Sequence, residues 1–229
     1  MVYKGGIYQD PACRQHGYME DYYRRLIDIS HNIYKESRHD PDIDLYRVLD
    51  MYDSISHNQL KSKEWLVTEA SKHIKWKDVM CILGSWYGLL SYMFRHNGIT
   101  CHIDNVDTDE RAKIIAETII QEPPDYTSFY TKDAIERYLD EIEWYTVLCT
   151  TSTEHFDPMD WGFLARTRPK EHLLIVQSNN NTSENEHVNC HETADDLAED
   201  CQVEDIYYKG SMDFQGVDGP YQRHMVIGR

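Results

Sequence analysis

Lys77-Asp78-Val79-Met80-Cys81-Ile82-Leu83-Gly84-Ser85-Trp86-Tyr87-Gly88-Leu89-Leu90 is the stretch on which the reading of this 229-residue chain turns. A short apolar run ends in a turn bracketed by Gly84 and Gly88, and a helical pattern follows. A second apolar run, Ile99 to Val106, leads to Asp107, nineteen residues beyond Gly88. Strand, glycine turn, helix, strand, acid is the layout of a nucleotide-binding βαβ unit. The glycines let the backbone approach a ligand, and the acid accepts hydrogen bonds from ribose hydroxyls. The spacing is G-x-x-x-G rather than G-x-G-x-x-G, so the same residues equally suit an ordinary tight βα turn.

Downstream of residue 78, apolar β-rich runs alternate with helical stretches. Strands are expected near 78–83, 99–106, 126–130, 144–150 and 172–177, and helices near 87–96, 109–121, 132–140 and 158–166. That alternation predicts a parallel sheet with helices on both faces. The tail departs from it. Asp205 to Met212 and Gln222 to Gly228 read as two strands around a turn-rich loop, Phe214 to Pro220, which adds an antiparallel hairpin.

Upstream, residues 1 to about 20 read as an irregular arm. Tyr22, Leu26, Ile29 and Ile33 recur at helical spacing between Asp21 and Lys35. Asp40-Pro41-Asp42 suits a helix start, with Ile43, Tyr46, Leu49 and Ile55 following on one face. A third helix is expected from Ser62 to His73. The many tyrosines of these helices read as half-buried surface, ring packed and hydroxyl wet.

The chain carries 40 Asp and Glu against 23 Lys and Arg, a net charge of −17. Such a surface repels phosphate backbones and anionic membranes, although Arg166, Arg168 and Lys170 lie close together. No apolar run reaches 18 residues, and Met1 to Gly6 lacks a signal-peptide core. Six cysteines form no C-x-x-C, and Cys81, Cys101 and Cys149 sit in apolar runs. A reduced, cytoplasmic protein without a disulfide framework is expected.

Five parallel strands followed by a hairpin resemble the class I S-adenosylmethionine-dependent methyltransferases, from about Glu64 to Arg229. Ile82 to Gly88 stands where that superfamily has its glycine-rich first motif. Val106-Asp107-Thr108-Asp109 looks like the second, whose acid holds the cofactor ribose. Tyr130-Thr131-Lys132-Asp133-Ala134 looks like the third, whose Asp faces the adenine amino group. Cys149 to Phe156 stands at the fourth strand's exit, where the family places substrate and catalytic groups. Thr151 to His155 together with Gln177 to Asn180 is also similar to small methyltransferase-like proteins of tailed bacteriophages, which would place the protein in a host cytoplasm. Two positions depart from the superfamily pattern: Trp86 replaces its middle glycine, and Ile82 replaces the acid two residues before the first.

The resemblance implies an α/β fold: a Rossmann-like, mostly parallel seven-stranded sheet with a C-terminal antiparallel hairpin and a helical N-terminal extension. Residues 1–61 form the extension and 62–229 the S-adenosylmethionine-binding domain. The implied cofactor is S-adenosylmethionine, held by Gly84, Ser85, Trp86, Gly88, Asp107, Thr108, Asp133, Thr151 and Ser152. The expected acceptor is a small molecule or a protein rather than nucleic acid or a membrane component. A non-catalytic binding or structural protein on the same fold is the alternative, because fold does not fix activity.

Three polar clusters fall beyond the strand ends. The first is Thr151, Ser152, Glu154 and His155, the second Ser178, Asn179 and Asn180, the third His187, Asn189, Cys190 and His191. Glu154 and His155 read as the acid/base pair, the carboxylate raising the histidine's pKa, or as caps of the next helix. Asn179 reads as a ligand amide or as a turn residue. Asp107 and Asp133 read as ligand groups or helix caps. His187, Cys190 and His191, with His155 as fourth, have zinc-ligand chemistry without the usual paired spacing, and no metal is expected.

Overall fold

Alternate residues along the central strands serve two separate cores. Met80 and Ile82 pack into one, Cys81 and Leu83 into the other; Val147 and Cys149 oppose Leu148, and Leu173 and Ile175 oppose Leu174 and Val176. A strand buried on both faces reads as a continuous apolar run, as these do. The computed structural model describes residues 17–37, 45–217 and 219–229. Its strands are β1 (Val79–Leu83), β2 (His102–Asp107), β3 (Thr127–Thr131), β4 (Val147–Thr150), β5 (Leu173–Asn179), β6 (Ile206–Gln215) and β7 (Pro220–Gly228). They form one sheet in the order β3-β2-β1-β4-β5-β7-β6. Strands β1 to β5 are parallel, and β7 runs antiparallel to both β5 and β6.

Helices α1 (Gly17–Ser37), α2 (Tyr46–Asp53), α3 (His57–Ala70), α4 (Leu89–His96), α5 (Glu110–Ile120), α6 (Ala134–Asp140), α7 (Pro158–Thr167) and α8 (Ala194–Asp200) complete the described elements. Tyr22 and Leu26 of α1, Leu66 and Ala70 of α3, Phe94 of α4 and Ile119 of α5 cover the first face. Tyr138 of α6, Trp161 of α7 and Leu197 of α8 cover the second. The register sets the site. Leu83 lies level with Val106 on one side and Thr150 on the other, and Asp107 with Thr131. Gly84, Asp107 and Thr151 therefore leave the sheet side by side.

The N-terminal third departs from the sequence reading. Helix α1 begins at Gly17, inside the stretch read as irregular; residues 1–16, and the helix start expected at Asp40-Pro41-Asp42, lie outside the described residues. Tyr46 and Leu49 of α2 are exposed, and Met51 is its buried residue; Arg47 and Asp50 instead bond Tyr87 of the glycine turn. Helix α3 begins at His57, so Ser62 is buried mid-helix, its hydroxyl donating to the Gln59 carbonyl at 3.3 Å instead of capping. Helix α8 was not legible in an acidic, seven-residue segment with three apolar positions; Thr193 caps it by accepting the Asp196 N–H at 3.1 Å. Arg168 does not join a basic patch: it is buried and donates to the Pro169 and His172 carbonyls. Among the described residues no helix is long and apolar enough to cross a membrane.

Candidate functional site

Beyond the carboxyl ends of β1, β2 and β4 lies a cleft of about 1300 Å³, larger than the roughly 300–1,000 Å³ of most small-molecule pockets. Its wall includes Gly84, Ser85, Trp86, Asp107, Thr108, Asp133, Thr151, Ser152, Glu154, His155 and Asn179. Of the residues expected to hold the cofactor, Gly88 does not line it. Gly88 has φ +73° and opens α4, and a Cβ there would stand 2.6 Å from Ile120 Cδ1 and 3.2 Å from Phe129 Cε1. It lets α4 sit against α5 and β3. Gly84, at φ +66°, faces the cleft, where a Cβ would meet Ser152 Oγ at 2.9 Å.

The glycine turn is tied down by its own hydrogen bonds. The N–H groups of Gly84 and Ser85 donate to the Val106 carbonyl at 2.9 and 3.1 Å, and Gly88 N–H donates to the Ser85 carbonyl at 2.9 Å. Trp86 N–H donates to Asp107 Oδ2 at 2.7 Å. Asp107 Oδ1 accepts a further N–H from Asp109 at 3.0 Å. The four donors are thus engaged within the turn rather than arranged as a phosphate cradle. Asp107 retains lone pairs toward the cleft, since a carboxylate offers about four acceptor positions. Asp109 performs the capping, accepting N–H bonds from Arg111 and Ala112. Asp133 is a cap as well as a wall residue, accepting the Glu136 N–H at 2.8 Å. Asp104, the next acid upstream, is buried away from the cleft among Tyr145, His102 and Arg137.

Trp86 adopts φ +50°, a left-handed conformation costing an L-residue roughly 1–2 kcal/mol. Helix α2 holds it there. The indole Nε1 donates to Asp50 Oδ2 at 3.1 Å, and the ring stacks on Tyr87 with centroids 5.5 Å apart. The Tyr87 hydroxyl also donates to Asp50, and Arg47 reaches Asp50, Tyr87 and Asp109. Tyr22 of α1 donates to the Tyr87 carbonyl at 3.0 Å.

At the exit of β4, Thr153 to His155 form one 3₁₀ turn, and Asp157, not Glu154 or His155, caps α7. Glu154 is 1% exposed. Its Oε1 accepts from Asn179 Nδ2 at 2.6 Å and from Arg223 Nη2 at 3.3 Å, while its Oε2 has no partner among the described residues. Arg223 also donates to the Thr151 carbonyl at 2.8 Å. Asn179 is therefore a support for Glu154. Ser178 bonds His191 on the far side of β5, and Asn180 pairs with Gln222 of β7. The period of two sends only the middle residue of that polar run into the cleft.

His155 stands at the cleft wall with its pKa lowered, not raised: desolvation by the protein packed around it outweighs the neighbouring Glu154 charge. Its ring meets that of His187 edge-on, with centroids 4.8 Å apart. His191 is drawn away to Ser178 and Asp200, and Cys190 points to Asn179 and Asn181, so these two residues do not gather with His187.

Lys63 was missed in the sequence. It lies buried on α3 and lines the cleft, donating to Gln59. Desolvation pulls its pKa down to about 7; Arg223 adds to that, while Glu154 and Asp53 oppose it. Its signal was a cation on the stripe Lys63, Leu66, Val67 and Ala70, all buried at helical spacing.

No family model and no curated protein sequence matches this chain. Solved structures do resemble it. NodS, an N-methyltransferase from Bradyrhizobium japonicum WM9, aligns over 76% of this chain and 98% of its own, with TM-score 0.58 and 11% identity. An O-methyltransferase from Bacillus cereus, in complex with SAH, aligns over 91% and 90%, with TM-score 0.56 and 10% identity. TehB from Haemophilus influenzae gives TM-score 0.54 and 11% identity over 71% of this chain, which spans 61% of the TehB chain. What the three share with this chain is its architecture: a Rossmann-like methyltransferase fold, a mostly parallel seven-stranded sheet closed by an antiparallel hairpin.

Proposed function

We propose that this chain is an S-adenosylmethionine-dependent methyltransferase acting on a small-molecule or protein acceptor. The observation that carries the reading is the glycine turn. Gly84, Ser85, Trp86 and Gly88 direct their N–H groups inward or to Asp107, which favours a nucleoside without phosphates over a dinucleotide. Among the described residues nine Asp and Glu face the cleft against Lys63 and Arg223, which disfavours anionic ligands further. Asp107 and Thr108 would hold the ribose, and Asp133 the adenine amino group through the oxygen not engaged in capping. Gly84, Ser85, Trp86, Thr151 and Ser152 would line the remainder. Gly88 contributes packing.

The cofactor supplies an electrophilic methyl group on a sulfonium centre. The protein's own part is alignment and, for an acceptor carrying a proton, a base. His155, neutral at pH 7 by its lowered pKa, would accept that proton. Asn179 and Arg223 fix Glu154 beside it. The acidic wall favours a neutral or cationic acceptor. Residues 1–61 would shape acceptor choice and 62–229 bind the cofactor. A cytoplasmic site of action fits Cys81, Cys149 and Cys201 held as buried free thiols. The likeness to bacteriophage proteins read from Thr151 to His155 and Gln177 to Asn180 gains no support from the similar structures.

Calorimetry with S-adenosylmethionine, S-adenosylhomocysteine and NADH tests the proposal. Binding of either sulfur compound is expected, and at about 100 times its dissociation constant it should stabilise the fold by roughly 2.7 kcal/mol. Heat with NADH and none with either sulfur compound would overturn it.

A further inference from the structure

One buried oxygen at the acceptor end of the cleft lacks a partner. Glu154 Oε2 is enclosed and makes no hydrogen bond among the described residues, while Oε1 takes both Asn179 and Arg223. A buried carboxylate oxygen left unbonded is costly. Two imidazoles face the same spot: ligand atoms of Glu154, His155 and His187 all lie within 4.8 Å of one another. The His187 loop is fastened to the Glu154 turn, because the N–H groups of Val188 and Asn189 donate to the Glu154 carbonyl at 2.8 and 3.1 Å. His187 Nδ1 lies 2.6 Å from the Asn181 carbonyl. That nitrogen must carry the hydrogen, which leaves Nε2 with a free lone pair. A ring nitrogen anchored to a carbonyl is how metal-binding histidines are usually oriented.

We propose that Glu154, His155 and His187 form a divalent metal site of the two-histidine, one-carboxylate kind, open to the cleft. Two imidazoles and one carboxylate suit a first-row transition ion better than magnesium or calcium, which take oxygen ligands. At ion–ligand distances of about 2.0–2.2 Å, neighbouring ligands stand about 3–3.4 Å apart. Closing the group from 4.8 Å needs rotation of the two histidines, both at least partly open to the cleft. Arg223 and Lys63 bring positive charge nearby; Asp53, Glu184 and Glu186 on the same wall offset it.

Three protein ligands leave positions for an acceptor's oxygen or nitrogen, whose pKa the ion would lower. In that arrangement His155 acts as ligand and no longer as base. This use of the ion rests on the methyl-transfer reading; the site itself does not.

The test is calorimetry of the full chain, freed of metal with a chelator, titrated with Zn²⁺, Mn²⁺ or Mg²⁺ in the absence of nucleoside. One Zn²⁺ or Mn²⁺ per chain is expected, at least tenfold tighter than Mg²⁺. His187→Ala and His155→Ala should each weaken it beyond the 10- to 100-fold typical of losing an outer-shell partner, and Cys190→Ser should not. Both histidines are accessible, so the variants should keep the melting temperature of the metal-free protein. Absent binding of Zn²⁺ and Mn²⁺, or unchanged affinity in both histidine variants, would overturn the site. S-adenosylmethionine binding without metal binding would sink the metal site alone. Metal binding without S-adenosylmethionine binding would leave it standing and sink the methyl-transfer reading.

Discussion

Trp86 and Asp50 are joined by a 3.1 Å hydrogen bond from the indole Nε1 to a carboxylate oxygen, across 36 residues of sequence. The bond fastens the glycine turn to α2 and turns a left-handed tryptophan into a defined piece of cleft wall. Asp50→Ala removes the acceptor for Trp86, Tyr87 and Arg47 together. Hydrogen bonds to a charged group are each worth roughly 1.5–3 kcal/mol. The dissociation constant for S-adenosylmethionine should rise on the order of tenfold. Calorimetry giving an unchanged constant in a folded variant would mean that the indole position does not matter to the ligand.

Asp107→Ala should lower both affinity and stability. The acid anchors the Trp86 and Asp109 N–H groups, and leaving either unsatisfied costs roughly 1–3 kcal/mol. A fall in melting temperature is therefore expected alongside a loss of affinity on the order of ten- to a hundredfold. Loss of stability with full affinity retained would remove Asp107 from the ribose role.

Gly84→Ala and Gly88→Ala should separate the two glycines. Each forces a Cβ into left-handed backbone, roughly 1–2 kcal/mol. At Gly88 the added methyl also collides with Ile120 in the core, whereas at Gly84 it meets the Ser152 hydroxyl in the cleft. Thermal melts should show Gly88→Ala as the less stable protein, and calorimetry should show Gly84→Ala as the weaker binder. The reverse order would exchange their assigned roles.

Lys63 makes the pH dependence of stability testable. Its folded pKa is depressed to about 7 from an ordinary 10.5. Between these values the unfolded chain binds more protons, so Lys63 makes stability rise with pH across that window. Its penalty is complete below about pH 7. Lys63→Met, which keeps the volume and removes the charge, should melt higher than the parent at pH 6, with the gap narrowing toward pH 10. A variant less stable than the parent at pH 6 would show instead that the ammonium is stabilised by Glu154 and Asp53.

What the sequence disclosed follows a physical divide. Glycine, acid and strand-exit positions are fixed by local period and by register, so Gly84, Asp107, Asp133 and Thr151 were visible along one linear pattern. Asp50, Lys63 and Arg223 come from α2, α3 and β7, and no periodicity connects residues so far apart. The place of Glu154 and Asn179 beyond the strand ends was legible, but their mutual bond was not, because amide and carboxylate look equally available in a string of letters. The direction of the His155 shift depended on how much protein covers the ring, which adjacency to Glu154 does not report. Gly88 was misplaced because positive φ serves ligand approach and helix packing alike.

Strand β7 follows every other described strand in the chain, yet it is an inner one, seated between β5 and β6. It also delivers Arg223 to Glu154. Before β7 is made, β1 to β5 can pair while β5 keeps an open edge, β6 has no partner in the sheet and Glu154 lacks its guanidinium. The edge of β5 and the Glu154 side of the cleft therefore both depend on residues 220–228. A nascent chain stalled before that point would expose a buried strand edge and carry no finished site, coupling quality control of the sheet to competence of the cleft.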